Sequence, residues 1–228
     1  MSAFDWESIV GAMPFLMQGL AYTVQLTVIA AIGGTLWGIA LALARLSSIA
    51  PLAWLAAAYV NLMRSIPLLL VIFWFYFLVP VILQWISGSP YPPRIGADRS
   101  AYVTFILFEG AYFCEIVRAG IQSIPKGQLG AAYAIGLNYA QAMRLVVLPQ
   151  ALRNMLPVLL TQTIVLFQDV SLVALLNVTD LVGAAVKIAQ RDSRIVEMYT
   201  LVAVIYFVLS YALSRSVKAL DRRIAIVR

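Results

Sequence analysis

The chain has 228 residues, 63% of them hydrophobic and 11% charged, with a mean hydropathy of +0.92 and a formal net charge of +6. A soluble domain carries nearer a quarter charged residues, so this chain has too little polar surface to cover a water-facing globule, and its composition suits lipid. It has no histidine and one cysteine, Cys114, which excludes an internal disulfide, histidine general-base catalysis and a Ser-His-Asp triad, and denies a zinc or haem site its usual ligands.

The first eighteen residues, Met1 to Gln18, carry Asp5 and Glu7 and no Lys or Arg, the reverse of the basic start of a secretory signal. No side chain from Ser8 to Ala44 is charged. A span takes roughly 20 apolar residues, and the most apolar part, Leu20 to Leu43, reads as the first. Arg45, Ser47 and Ser48 mark an interface, and Leu52 to Met63 reads as a helix too short to cross. Ser65 is placed to cap the next helix with Pro67 in its first turn, and the second span reads as Pro67 to Trp85. Ser87 to Ser100, rich in Gly and Pro, is predicted to be a loop.

Ala101 to Ile121 reads as the third span and is the most polar, holding Glu109, Glu115 and Arg118. The fourth is predicted over Met155 to Val178, with Asp169 inside it, and the fifth over Glu197 to Ser214, followed by a basic tail from Arg215 to Arg228. These five spans divide the cations unequally. Arg45, Arg64, Arg118, Lys126, Arg144, Arg153, Arg215, Lys218, Arg222, Arg223 and Arg228 fall on one side, and Arg94, Arg99, Lys187, Arg191 and Arg194 on the other. The richer side is expected to be cytoplasmic, which puts the N-terminus outside and the C-terminus inside. The expected fold is all-α: one polytopic transmembrane bundle over residues 1–228.

Ser123 to Arg153 is too polar to span and too apolar to be a free loop. It is rich in helix formers and broken at Gly127, Gly130, Gly136 and Pro149. One reading is an interfacial amphipathic helix; the other is a pair of short helices joined near Gly136 and seated in a partner protein, with Pro149 ending the second.

From Gly130 to Pro149 this segment resembles the cytoplasmic signature of the membrane subunits of bacterial ABC importers, which runs Glu-Ala-Ala, three residues, Gly, nine residues, Ile, one residue, Leu-Pro. Ala131, Ala132, Gly136 and Leu148-Pro149 match it, Val146 stands for the isoleucine, and Gly130 replaces the glutamate. Glu115 to Gln128 resembles the third-helix exit of polar amino acid permeases, Arg64 to Leu70 their second-helix entry, and Gln168 to Val173 their fourth helix. Asp5-Trp6, Ala58 to Asn61, Trp74 to Tyr76 and Leu159 to Gln162 resemble, more narrowly, glutamate/aspartate permease subunits.

The resemblance implies a type I importer permease with residues 126–149, including Lys126 and Gly127, as the ATPase-coupling segment. It implies a second permease subunit, two ATPase subunits that bind MgATP, and an extracytoplasmic solute-binding protein. No GxxxxGK[ST] sequence occurs here, so this chain is expected to bind no cofactor, to hydrolyse no ATP and to be no enzyme. The resemblance also allows glutamine or a basic amino acid as the substrate; a channel or secondary-transporter subunit is the reading from another class, and it has no use for a docking segment.

An isolated charge within a span costs roughly 2.5 to 3.5 kcal/mol on the lenient scale, so Asp169 is expected to face a cavity or another helix. It reads either as the partner of a substrate α-ammonium or as a polar lock between helices. Gln162, Thr163, Gln168 and Ser171 add polar groups to the same helix. No Lys or Arg lies at mid-membrane, so substrate carboxylates need other donors. The break at Arg64 to Pro67 offers a helix N-terminus and a guanidinium, while Arg64 reads equally as an anchor for lipid phosphate or Glu115. Glu115 and Arg118, at i and i+3, read as a structural ion pair, and Glu109 as a weaker site candidate. Gly34 and Gly38 around Trp37 indicate close helix packing, and Phe73 to Phe77 reads as packing rather than a ligand cage.

Overall fold

The computed structural model describes residues 6–224, with side chains from Val10 onward. Asp5 and Arg228 lie outside the described residues, as do the side chains of Trp6 and Glu7. The described residues fold into eight helices and no strand: α1 (Trp6–Arg45), α2 (Ala50–Ser65), α3 (Leu68–Ser87), α4 (Ala97–Gln122), α5 (Lys126–Ala134), α6 (Tyr139–Leu176), α7 (Leu181–Asp192) and α8 (Ile195–Ile224). Five of them, α1, α3, α4, α6 and α8, are long and apolar enough to cross a bilayer. Large apolar side chains such as Ile32, Leu36, Phe77, Trp85 and Phe207 face outward, as lipid-facing positions do.

α1 is the spine of the bundle. With 40 residues it is about 60 Å long, well beyond the span predicted from Leu20, and it includes Pro14. Near its start Ala12 and Leu16 pack on α7 and α8; at its middle Leu26 and Ala30 join α3, α4 and α6; near its end Leu41 and Ala42 meet Ala56 and Val60 of α2 and Cys114 of α4. Its contact with α4 is backbone to backbone. A Cβ on Gly38 would lie 2.8 Å from the Cys114 nitrogen and 2.9 Å from the Gly110 oxygen. Trp37 lies against Gly110 and donates from Nε1 to the Tyr59 hydroxyl at 3.2 Å, which donates to the Leu107 carbonyl at 2.9 Å, so one relay ties α1, α2 and α4.

Four expectations change. Ser65 does not cap a helix: it is the last residue of α2, and its hydroxyl donates back to the Asn61 carbonyl at 2.7 Å. The break falls at Ile66, which is extended because a residue before proline is driven out of the α region. The loop after α3 is shorter than predicted, since Asp98 and Arg99 belong to α4, with Asp98 in its first turn where the helix dipole favours an anion. Pro149 does not end a helix, for α6 runs unbroken from Tyr139 through a π turn at Met143–Val147 and then Pro149. A second π turn, Trp74–Leu78, stands in the same relation to Pro80 in α3. In both, the widened turn accommodates a ring that has no N–H to donate and crowds the carbonyl four residues back.

The fourth change is α7, a helix where only a connection was predicted. Asp180 caps it, its carboxylate accepting from the Val182 and Gly183 amides, while the Leu181 amide donates to Thr23 Oγ1 of α1 at 3.1 Å. Burial pushes the Asp180 carboxyl up to about 6 despite the amides that favour its ionised form. Phe73 to Phe77 is packing: Phe73, Phe75 and Tyr76 lie against the central core, and Trp74 and Phe77 face outward.

Candidate functional site

The break between α2 and α3 faces a polar stretch of α4 and the far half of α6, and the three line an open cavity of about 390 Å³. Arg64 to Leu68 form one wall, Phe108, Glu109 and Tyr112 the second, and Gln162, Val165 and Asp169 the third. Glu109, Tyr112 and Glu115 stand three residues apart, on one face of α4. Glu109 is fully buried; its Oε2 accepts from Gln162 Nε2 at 3.1 Å, and its Oε1 has no hydrogen-bond partner among the described residues. Asp169 is half-buried where α6 passes from α-helix into the 3-10 turn Val170–Leu176.

Arg64 lines the cavity at the end of the bundle that carries Arg45 and Arg118. Its guanidinium carbon lies 5.4 Å from the centre of the Tyr112 ring, and one of its nitrogens 3.5 Å from Glu115 Oε1. Glu115 is a hub. Arg45 donates to its Oε1, and Arg118 donates to its Oε2 from Nε at 3.0 Å and Nη2 at 2.6 Å. The Glu115–Arg118 pair therefore belongs to a cluster of three arginines on one carboxylate, joining α1, α2 and α4.

The predicted polar residues of α6 do not share one site. Gln162 and Asp169 line the cavity with Arg64. Gln168 and Ser171 line a different one, of about 410 Å³ between α6 and α8, where Gln168 Nε2 donates to Ser210 Oγ at 3.1 Å. Thr163 lines an apolar groove between α1, α6 and α8, its hydroxyl returned to the Leu159 carbonyl at 2.9 Å. Helix geometry separates them, since neighbours in sequence point about 100° apart around a 3.6-residue turn. Tyr112 has no role in the sequence reading, and Arg45 figures there only as an interface cation. The three-residue spacing from Glu109 through Tyr112 to Glu115 was the available signal for Tyr112; Arg45, seventy positions from Glu115, had none.

At the same end of the bundle lies α5 and the start of α6. Gly136 turns the chain between them at φ 86°, a conformation that favours glycine. Asn138 then starts α6 with a capping box: its Oδ1 accepts from the Gln141 amide and Gln141 Oε1 accepts from the Asn138 amide, both at 3.0 Å. Ala132 and Ala142 are buried and seat the turn. Lys126, Gly127, Gly130, Ala131, Leu148 and Pro149 are exposed, and a Cβ on Gly127, Gly130 or Gly136 would meet nothing within 4 Å. Tyr133, Ile135, Tyr139 and Leu145 add exposed apolar surface. Asn154 Nδ2 donates to Ser123 Oγ at 2.8 Å and so holds α6 to the end of α4.

An open pocket lined by charged and polar side chains among apolar spans, together with a helical elbow whose tip is exposed and apolar, fits a membrane transport subunit. Residues 34–226 match the family described as the binding-protein-dependent transport system inner membrane component, and the chain belongs to that family. It is 51% identical over 225 residues to the glutamate/aspartate import permease protein GltK of Escherichia coli O6:H1, covering 99% of this chain and 100% of that protein. It is 35% identical over 225 residues to the L-cystine transport system permease protein TcyB of Bacillus subtilis, covering 98% and 92%. The crystal structure of an amino acid ABC transporter with histidines superposes with a TM-score of 0.88 at 33% identity, covering 98% of this chain and 100% of that one. The fold is that of type I ABC importer permeases, and the chain is a multi-pass inner-membrane protein.

Proposed function

We propose that this chain is the permease subunit of an ATP-driven importer of L-glutamate and L-aspartate, and that the cavity between Arg64, Glu109 and Asp169 is its substrate site. The observation that carries the substrate class is the 51% identity to a glutamate/aspartate permease along the whole chain, against 35% to a cystine permease. The cavity supports it chemically. Asp169 and Glu109 offer carboxylates to an α-ammonium, Gln162 and Tyr112 offer neutral polar groups, and Arg64 faces them with a guanidinium for a carboxylate. The three arginines around Glu115 leave that end positive, which accommodates a substrate with two carboxylates.

The whole chain then acts as one permease domain, with the N-terminus outside and the basic end in the cytoplasm. Residues 126–149 are the coupling segment. A second permease subunit completes the path, an extracytoplasmic binding protein delivers substrate, and two partner ATPase subunits hold and hydrolyse MgATP. When they close on each other, the elbow at Gly136 moves as a lever. Its continuity with α6 carries that movement to Gln162 and Asp169, exposing the cavity to one side and then the other.

Binding of radiolabelled glutamate to the purified transporter in nanodiscs, without its binding protein, tests the site. Asp169→Asn and Arg64→Gln are each expected to weaken binding at least tenfold while the complex still assembles. Unchanged affinity in both would remove the cavity from the reading.

A further inference from the structure

We propose that Glu115 competes with the substrate carboxylate for Arg64, so that the arginine cluster sets how strongly the cavity holds an acidic amino acid. This rests on the cavity being the substrate site.

The three arginines on Glu115 are not equally held. Arg118 makes two hydrogen bonds to Oε2 and Arg45 donates to Oε1, with their side chains 30% and 16% exposed. Arg64 stands 3.5 Å from the oxygen that Arg45 already uses, with its side chain 42% exposed. That separation exceeds a hydrogen bond to a carboxylate, so Arg64 is held by Coulomb attraction and by the Tyr112 ring beneath it. It is the surplus cation of the cluster. It is also the member that lines the cavity, opposite Asp169 and Glu109.

A carboxylate entering the cavity can offer Arg64 the two parallel hydrogen bonds that Glu115, occupied by Arg45 and Arg118, does not. Arg64 is the last-but-one residue of α2, and Glu115 belongs to α4. Substrate capture by Arg64 therefore loosens one of the ties between α2 and α4 and leaves the Arg45 and Arg118 ties in place. Glu115 and Arg118 are positioning residues in this account: each acts on the substrate only through Arg64. They act in opposite directions. Neutralising Glu115 removes the competitor. Neutralising Arg118 returns an oxygen of Glu115 to Arg64 and strengthens the competition.

The test is equilibrium binding of radiolabelled glutamate to the purified transporter in nanodiscs without binding protein, with unlabelled glutamine as a neutral comparison. Glu115→Gln is expected to bind glutamate two- to fivefold more tightly, and Arg118→Gln two- to fivefold more weakly, about the range a partly exposed ion pair supplies. Glutamine affinity is expected to move less than glutamate affinity in both. A purely structural cluster would weaken binding in both variants, and that common direction, or no change in either, overturns the proposal. Where Glu115→Gln fails to fold, Arg45→Gln replaces it. Arg45 shares Oε1 with Arg64, so its removal must weaken glutamate binding as Arg118→Gln does, and unchanged binding overturns the proposal. Failure of the cavity itself reads differently: Arg64→Gln would then leave glutamate binding unchanged.

Discussion

Replacing Gly38 by alanine should separate α1 from α4, because the contact there is between two backbones. The added carbon would sit 2.8 Å from both the Cys114 nitrogen and Phe113 Cβ, and 2.9 Å from the Gly110 oxygen. Non-bonded carbons rest about 3.5 to 4.0 Å apart, so the helices must part by roughly 0.7 to 1.2 Å, and no flexible side chain can yield instead. Overpacking of this kind costs about 1 to 3 kcal/mol. For a chain of this length each kcal/mol lowers the melting point by about 2 to 4 °C, which gives a fall of several degrees for Gly38→Ala, read as loss of the monodisperse peak on heating in detergent. Gly34→Ala should fall less, because its Cβ meets side chains at 3.2 Å or more. Gly127→Ala is the control: nothing lies within 4 Å, and alanine is the better helix former by up to about 1 kcal/mol. If Gly38→Ala melts with the unaltered protein while Gly34→Ala does not, the backbone contact is not what sets the spacing of α1 and α4.

Gly136→Ala forces an alanine to φ 86°, a strain of about 1 to 2 kcal/mol; more ATP hydrolysed per substrate imported is the expected result in proteoliposomes, with the subunits still assembled. Gly130→Glu should fold normally, since its side chain has open space, and should alter only the affinity of the purified permease for its ATPase in a pull-down. Asp180 has a folded-state value near 6 against an unfolded value near 4, so the folded state binds the extra proton and the stability from this group declines as pH rises from about 4 through 6. Asp180→Asn keeps the cap and should flatten that part of the pH profile of thermal stability. Asp180→Ala should lose about 1 kcal/mol of helix capping at every pH.

Hydropathy made the five spans legible because a chain in lipid must satisfy its backbone within each helix. It could not show where helices continue beyond the apolar core. The first turns of α1 are apolar but interrupted by Gly11 and Pro14, the join of α5 to α6 is too polar to count as part of a span, and Pro149 reads as a stop unless a π turn precedes it. Leu181–Asp192 looked like a connection because it is too short to span and carries Lys187, Arg191 and Asp192. The signal was present: Asp180 stands at the cap position, and Leu181, Ala184, Ala185, Ile188 and Ala189 recur at helical spacing and are all buried. In the site, Asp169 and Gln162 stood out as polar groups in an apolar run. Their separation from Gln168, Ser171 and Thr163 depends on which helix each face meets, and Arg45 reaches Glu115 only through the tertiary fold.

Coupled import of acidic amino acids is measured by uptake into proteoliposomes that hold this chain, a second permease subunit, the ATPase subunits and the binding protein. Radiolabelled glutamate should accumulate only with MgATP and binding protein present, and excess aspartate should suppress it while arginine does not. Accumulation without the ATPase subunits, or equal suppression by arginine, would contradict the account.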